Sequence, residues 1–258
     1  MRIFVCIKQV PDTETKIKLK ADQSSIEESG IKWIVNPYDE FAIEEALKLK
    51  EAVGQGQVTL VSVGPKARVV DALRTGLAMG ADDALIVDTS TPLDNLLTAQ
   101  SLAAVIKSEG PPAMIFLGRQ SIDMGVSATG PMLAEVLGLP HASLVSKFSH
   151  EEGVSRIERE VEGGSKEVLE ITGPAVITAN KGLNTPRYAS LPGIMKAKKK
   201  PLKEMSLADL GFNSEQNKVH LTNFKMPPEK PPVKMISGEA NQQAQELVKA
   251  LREEAKVL

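Results

Sequence analysis

The stretch Gly118-Arg119-Gln120-Ser121-Ile122-Asp123-Met124-Gly125-Val126-Ser127-Ala128-Thr129-Gly130 has the chemistry of a phosphate cradle. Its glycines allow close backbone approach, Ser127 and Thr129 offer small hydroxyls, and a helical pattern begins at its end. The positive end of that helix would face an anion. The same composition also reads as an ordinary helix N-cap, and the run matches no general nucleotide motif. Two more polar turns stand out: Lys8-Gln9-Val10-Pro11-Asp12-Thr13, and Val35-Asn36-Pro37-Tyr38-Asp39-Glu40, whose asparagine and backbone can reach an adenine or ribose. Val63-Gly64-Pro65 supplies a further loop of this kind.

No standard catalytic constellation accompanies them. The chain has no G-x-G-x-x-G, P-loop, H-E-x-x-H or G-x-S-x-G, and its three histidines (His141, His150, His220) are scattered and read as surface or supporting residues. Chemistry in this protein would therefore rest with a bound cofactor. The single cysteine, Cys6, cannot form an intramolecular disulfide or a thiolate metal cluster. Its apolar setting, Ile3-Phe4-Val5-Cys6-Ile7, points to a buried structural thiol rather than a reactive one.

The elements that must position these loops follow from periodicity. Short β-branched runs at 2–8, 57–63, 84–87 and 113–117 alternate with helical patterns at 39–52, 67–79, 93–107 and 129–137, with Asp39 available as the cap of the first helix. Such alternation predicts βαβ units and an α/β, doubly wound, mainly parallel sheet. Ligands bind such sheets outside the C-terminal strand ends, at a topological switch point, and that is where the polar loops fall. Residues 143–149, 154–161, 166–172 and 175–179, separated by Glu151-Glu152-Gly153 and Glu162-Gly163-Gly164-Ser165, suggest an antiparallel addition at the sheet edge. These patterns make 1–225 one nucleotide-binding domain. Residues 226–258 then form an arm: a Pro-rich stretch (226–232, including Pro231), which proline keeps extended, and an amphipathic helix over about 240–255. That arm docks either on its own domain or on a partner.

Composition narrows the class. The 258 residues are 42% apolar, 25% charged and only 3% aromatic, so the core is built from Val, Ile, Leu, Ala and Met. A formal charge of -2 argues against a nucleic-acid binder. No signal-peptide pattern opens the sequence and no run approaches the roughly 18 apolar residues of a membrane helix, so a soluble cytoplasmic protein without membrane insertion is expected.

Several pieces together resemble the electron-transfer flavoprotein beta subunit across nearly the whole chain. They are Val5-Cys6-Ile7-Lys8-Gln9-Val10, Asn36-Pro37-Tyr38-Asp39-Glu40 with Glu44-Glu45-Ala46, Ser62-Val63-Gly64-Pro65, Ala78-Met79-Gly80-Ala81-Asp82, Leu117-Gly118-Arg119-Gln120-Ser121-Ile122-Asp123, Glu160-Val161-Glu162-Gly163-Gly164 and Pro174-Ala175-Val176. The most specific is Leu-Asn-Thr-Pro-Arg-Tyr-Ala-Ser-Leu-Pro-Gly-Ile-Met-Lys-Ala-Lys-Lys-Lys, residues 183–200.

The resemblance implies a heterodimer with an alpha subunit that holds most of the redox-active FAD, and a structural AMP in the beta subunit. The protein would then be an electron carrier rather than an enzyme. Its electrons would come from acyl-CoA or other dehydrogenases and pass, through a membrane quinone oxidoreductase, towards the respiratory chain. Carried onto this sequence, the AMP positions are Cys6, Asn36, Pro37, Tyr38, Asp39, Val63 and Gly118, Arg119, Gln120, Ser121, Ile122, Asp123, Met124, Gly125, Val126, Ser127, Ala128 and Thr129. Cys6 and Val63 would offer backbone groups to adenine.

The partner-docking anchor falls on Leu191, with Arg187 and Tyr188 at the loop base; the pattern alone also reads as a core leucine in an Arg-Tyr-x-x-Leu turn. Lys196, Lys198, Lys199 and Lys200 form a charge patch that would steer acidic partners.

Some members of the family bind a second FAD in place of AMP and bifurcate electrons. This chain shares with them Gln9-Val10-Pro11-Asp12-Thr13 and Asn36-Pro37-Tyr38-Asp39, and Thr13 stands where animal relatives place a tyrosine near the flavin. It lacks their Asp-Gly-Asp-Thr stretch, having Asp123-Met124-Gly125-Val126 instead, and its Leu191-Pro192-Gly193-Ile194-Met195 follows the non-bifurcating pattern, so AMP is the expected ligand. A nucleotide-sensing regulatory domain is the reading left if the resemblance is set aside.

Overall fold

The computed structural model describes residues 1–230 and 232–258; the expectation of an extended arm at Pro231 lies outside the described residues. The chain forms two compact units, one of residues 1–17 with 27–222 and one of residues 18–26 with 223–258.

In the first unit, β1 (Arg2–Cys6) leads into a short antiparallel pair, β2 (Gln9–Pro11) and β3 (Trp33–Val35), and then α1 (Pro37–Val53). Alternating units follow: β4 (Gln57–Gly64), α2 (Lys66–Met79), β5 (Asp83–Asp88), α3 (Asn95–Glu109), β6 (Met114–Gly118) and α4 (Thr129–Leu137). Next come β7 (His141–Glu151), β8 (Val154–Glu160), β9 (Lys166–Thr172), β10 (Val176–Ala179), α5 (Leu191–Ala197) and β11 (Leu202–Ser206). In the second unit, α6 (Ala240–Lys249) opens on a capping box between Glu239 and Gln242, none of its residues is buried, and an isolated bridge joins Leu19 to Ile26. Among the described residues no helix is long and apolar enough to cross a membrane.

One nine-stranded sheet runs in the order β11-β5-β4-β1-β6-β10-β7-β8-β9. Strands from β11 through β7 are parallel, and β8 and β9 extend that edge antiparallel. Both faces are covered. Leu47, Leu73 and Leu77 of α1 and α2 share one core with Ile3, Val5 and Leu60, while Leu102, Ile106 and Leu133 of α3 and α4 share another with Phe4, Val61 and Ile115. Fully burying each such side chain contributes roughly 1.5–3 kcal/mol. This is the doubly wound α/β fold that the alternation of runs predicts. The strand order reverses about β1, so the switch point lies between the C-terminal ends of β1 and β6.

Four details depart from expectation. The 175–179 run is not part of the antiparallel addition. Residues 176–179 form β10, which is parallel to both β6 and β7 and buried along its whole length, Thr178 included, as a strand in the middle of a sheet covered on both faces must be. β11, Leu202-Lys203-Glu204-Met205-Ser206, has no clear period-2 pattern beside the lysine run, yet it forms an edge strand on β5. The segment 191–197, expected as loop, is a short helix capped by the Ser190 hydroxyl, which accepts from Gly193 N at 3.1 Å. Asp39 does not cap α1. The helix begins at Pro37, whose fixed φ suits the first helical position, with Asn36 at the cap.

Candidate functional site

Asp39, in the first turn of α1, is only 4% exposed and faces the switch point. Its Oδ2 accepts from the Lys8 amide at 2.6 Å, and its Oδ1 accepts from the Gly118 amide at 2.9 Å and from Asn36 Nδ2 at 2.9 Å. Burial pushes its carboxyl up to about 7 against the lowering effect of these N–H donors. Asn36 extends the lattice. Its Nδ2 also donates to Gln120 O at 2.9 Å, its Oδ1 accepts from Ile122 N at 3.1 Å, and its own amide donates to Lys8 O at 2.9 Å. Two side chains therefore tie the end of β1 to the end of β6 and to the loop that follows.

Gly118 has to be glycine for reasons of space. A Cβ there would lie 2.4 Å from Asp39 Oδ1 and 2.6 Å from Tyr38 Cβ. Beyond it, Lys8 Nζ closes on both Asp123 oxygens at 2.8 Å and reaches Ser121 Oγ at 3.3 Å. Ser127 Oγ donates to Gln120 Oε1 at 3.0 Å. Gly125 and Ser127 both take the left-handed conformation, φ 64° and 58°; for a serine this costs roughly 1–3 kcal/mol, a pattern that clusters at ligand sites. No side chain caps α4, which the simple N-cap reading of this loop required, so the first amides of that helix remain free to face an anion.

Two buried donors near these strand ends, Gln9 Nε2 and Arg119 Nε, have no partner among the described residues. Buried donors without partners are rare, and their presence fits a site made for a polar, electron-rich ligand. The Arg119 guanidinium lies 5.4 Å from the centroid of the Tyr38 ring, and its Nη1 is 3.4 Å from Asn180 Oδ1.

Of the residues singled out in the sequence, Asn36, Tyr38, Asp39, Gly118, Arg119, Gln120, Ser121, Ile122, Asp123 and Ser127 are thus interlinked. Pro37 sets the turn, Gly125 its reversal, and Ala128 and Thr129 the start of α4, while Met124 and Val126 stand exposed on the loop. Cys6 and Val63 lie at or near the ends of the adjacent strands β1 and β4. Cys6 is buried, and burial raises its thiol pKa, so the site can use its backbone but not its sulfur as a nucleophile. Lys8 and Gln9 belong to the polar turn 8–13 that stands out in the sequence, without either being named as a ligand-site residue, and Asn180 carries no mark there. The strand-end position of the first two was the available signal; nothing in the sequence ties Asn180 to Arg119.

The 183–200 segment packs beside α1 and α2. Arg187 is fixed on α1: its Nε and Nη2 reach Glu44 at 2.8 and 2.9 Å, and its Nη1 reaches Glu51 at 2.7 Å. Tyr188, expected at the loop base with Arg187, is instead 96% exposed. It joins Leu191 (80%) and Met195 (72%) in an outward apolar group. Isolated exposed apolar residues are ordinary, but Leu191 and Met195 stand one turn apart on α5 with Tyr188 three residues before Leu191, a closeness that suits an interaction surface.

Lys196, Lys198 and Lys199 follow that group in the chain and are exposed. Lys200 is not, because its ammonium turns inward onto the carbonyls of Leu77 at 2.9 Å and Ala81 at 2.5 Å. Those acceptors, which end or follow α2, draw the charge in.

Comparison with known proteins adds a second line of evidence. The electron transfer flavoprotein domain matches residues 23–210. The chain is 42% identical over 263 residues to the electron transfer flavoprotein subunit beta of Bacillus subtilis, with all of both chains covered. It is 41% identical over 260 residues to the mitochondrial electron transfer flavoprotein subunit beta of Arabidopsis thaliana, again with both fully covered. Against the beta subunit of Bradyrhizobium diazoefficiens it is 44% identical over 213 residues, covering 83% of this chain and 84% of the relative.

Proposed function

The chain belongs to the electron-transfer flavoprotein beta-subunit family, and from that membership we propose that it completes a heterodimer with an alpha subunit, binds a structural AMP, and relays electrons from dehydrogenases without catalysing a reaction of its own. The observation that carries the AMP reading is the lattice of Asn36 and Asp39, which holds the 118–129 loop against the end of β1 with unpartnered donors beside it. The loop amides and the N-terminus of α4 would receive the phosphate. The backbone of Cys6 and Val63 and the 36–39 turn would receive the adenosine, and the Arg119–Tyr38 stack would border it.

The FAD, held mostly by the alpha subunit, supplies the redox chemistry when bound. Docking of acyl-CoA or other dehydrogenases falls to the exposed Tyr188, Leu191 and Met195, with Lys196, Lys198 and Lys199 raising the rate of encounter with acidic partners. Electrons would then pass to a membrane quinone oxidoreductase.

Co-expression with the alpha subunit, release of ligands by denaturation, and identification by mass and absorbance test this reading. One FAD and one AMP per heterodimer is the expected result. Two FAD would overturn the AMP reading in favour of electron bifurcation, and a stable chain that never associates with flavin would favour a nucleotide-sensing role.

A further inference from the structure

We propose that Glu44 of α1 is the positioning residue of the docking segment, acting through Arg187 to set where Leu191 stands. The inference rests on the docking role given to Leu191 above. Between β10 and α5 the chain has no helix or strand, so side chains must determine its path. Two residues of that stretch bind α1: Asn184 Nδ2 donates to Phe41 O at 2.9 Å and to Glu45 Oε2 at 2.8 Å, and Arg187 binds Glu44 with both its backbone and its side chain. The Glu44 carboxylate accepts three bonds from this one residue: Nε at 2.8 Å, Nη2 at 2.9 Å and the amide N at 3.1 Å.

A planar guanidinium meeting a carboxylate through two parallel bonds defines direction as well as distance. Glu44 is 6% exposed, and its side chain has no other cation within ion-pair distance among the described residues. Glu51, about two turns along the same face of α1, also binds Arg187 but is exposed, where an ion pair contributes little. Glu44 therefore decides the geometry.

The far end of the segment is held separately. Gly193 packs so closely on α2 that a Cβ would lie 2.5 Å from Ala78 O, and Arg74 Nη1 donates to Lys200 O at 2.9 Å. With both ends held, Tyr188 and Leu191 are presented already ordered, and a partner loses less conformational freedom on binding them.

The test uses the purified heterodimer and a dehydrogenase that reduces it. Glu44→Gln should retain flavin and nucleotide, raise KM for reduction and leave kcat nearly unchanged, lowering kcat/KM about tenfold, as expected when an interface segment must be ordered on binding. In a Leu191→Ala background the same substitution should change kcat/KM by less than about twofold, because residues acting through one another are not additive. An unchanged kcat/KM in Glu44→Gln, a loss confined to kcat, or an undiminished effect in the Leu191→Ala background would overturn the proposal. If Glu44→Gln loses its cofactors, Arg187→Lys, which keeps the charge but not the fork, takes its place with the same expected and contrary outcomes. If Leu191→Ala is itself without effect, the docking role fails. If Leu191→Ala slows reduction and Glu44→Gln does not, only the positioning role fails.

Discussion

The Oδ1 of Asp39 lies 2.9 Å from the Gly118 amide, across the seam where the strand order reverses. The two residues are 79 positions apart in sequence. Their contact closes the switch point between β1 and β6, and it leaves no room for a side chain at 118.

Gly118→Ala should damage the seam. Its Cβ would lie 2.4 Å from Asp39 Oδ1 and 2.8 Å from the backbone carbon of Tyr38, and backbone cannot swing aside as a flexible side chain can. A loss of about 1–3 kcal/mol in stability is expected, as for other overpacked sites. Bound nucleotide per chain should fall well below one after desalting. Both are read by thermal unfolding and by mass analysis of released ligand, and a variant that keeps full nucleotide and stability would contradict the geometry.

The pH dependence of stability should carry the signature of Asp39. Its folded-state pKa of about 7 stands above the ordinary value of 3.8, so between these values the folded chain holds a proton that the unfolded chain has lost. Stability from this group is therefore greatest below pH 3.8, declines as pH rises to about 7, and is level above. Asp39→Asn cannot titrate. The wild-type Tm minus the variant Tm should thus fall between about pH 4 and about pH 7 and then stay constant. A difference that grows with pH would mean that the three N–H donors outweigh burial and hold the carboxylate ionised.

Leu191→Ala should leave the fold and cofactor content unchanged. At 80% exposure the side chain contributes little to stability, and a shift within about 0.5 kcal/mol is expected. Reduction by a partner dehydrogenase should nevertheless slow by roughly 30-fold in kcat/KM if the leucine is a hot spot of about 2 kcal/mol. Stopped-flow reduction at limiting donor concentration measures this, and undiminished transfer with every dehydrogenase tried would remove the docking role.

Much of this was legible without coordinates. Alternating β-branched and amphipathic runs determined the parallel α/β class, because burial on two faces of a sheet and on one face of a helix leaves different periods in the sequence. The polar turns at 36–39 and 118–129 stood out because polar residues at strand ends have no packing role to explain them, whereas the segment 183–200 was marked only by its resemblance to the family.

Tertiary structure alone decided who meets whom. The 175–179 run follows the antiparallel strands β8 and β9 in the chain, and only its place between β6 and β7 made it parallel. Lys200 belonged to an exposed run by composition, yet unpaired carbonyls at the end of α2 turned it inward. Arg187 and Glu44, 143 residues apart, carry no mark of each other in the chain. Local periodicity records which side of an element is buried, whereas the partner of a given charge or strand depends on which distant groups are left unsatisfied once the layers close.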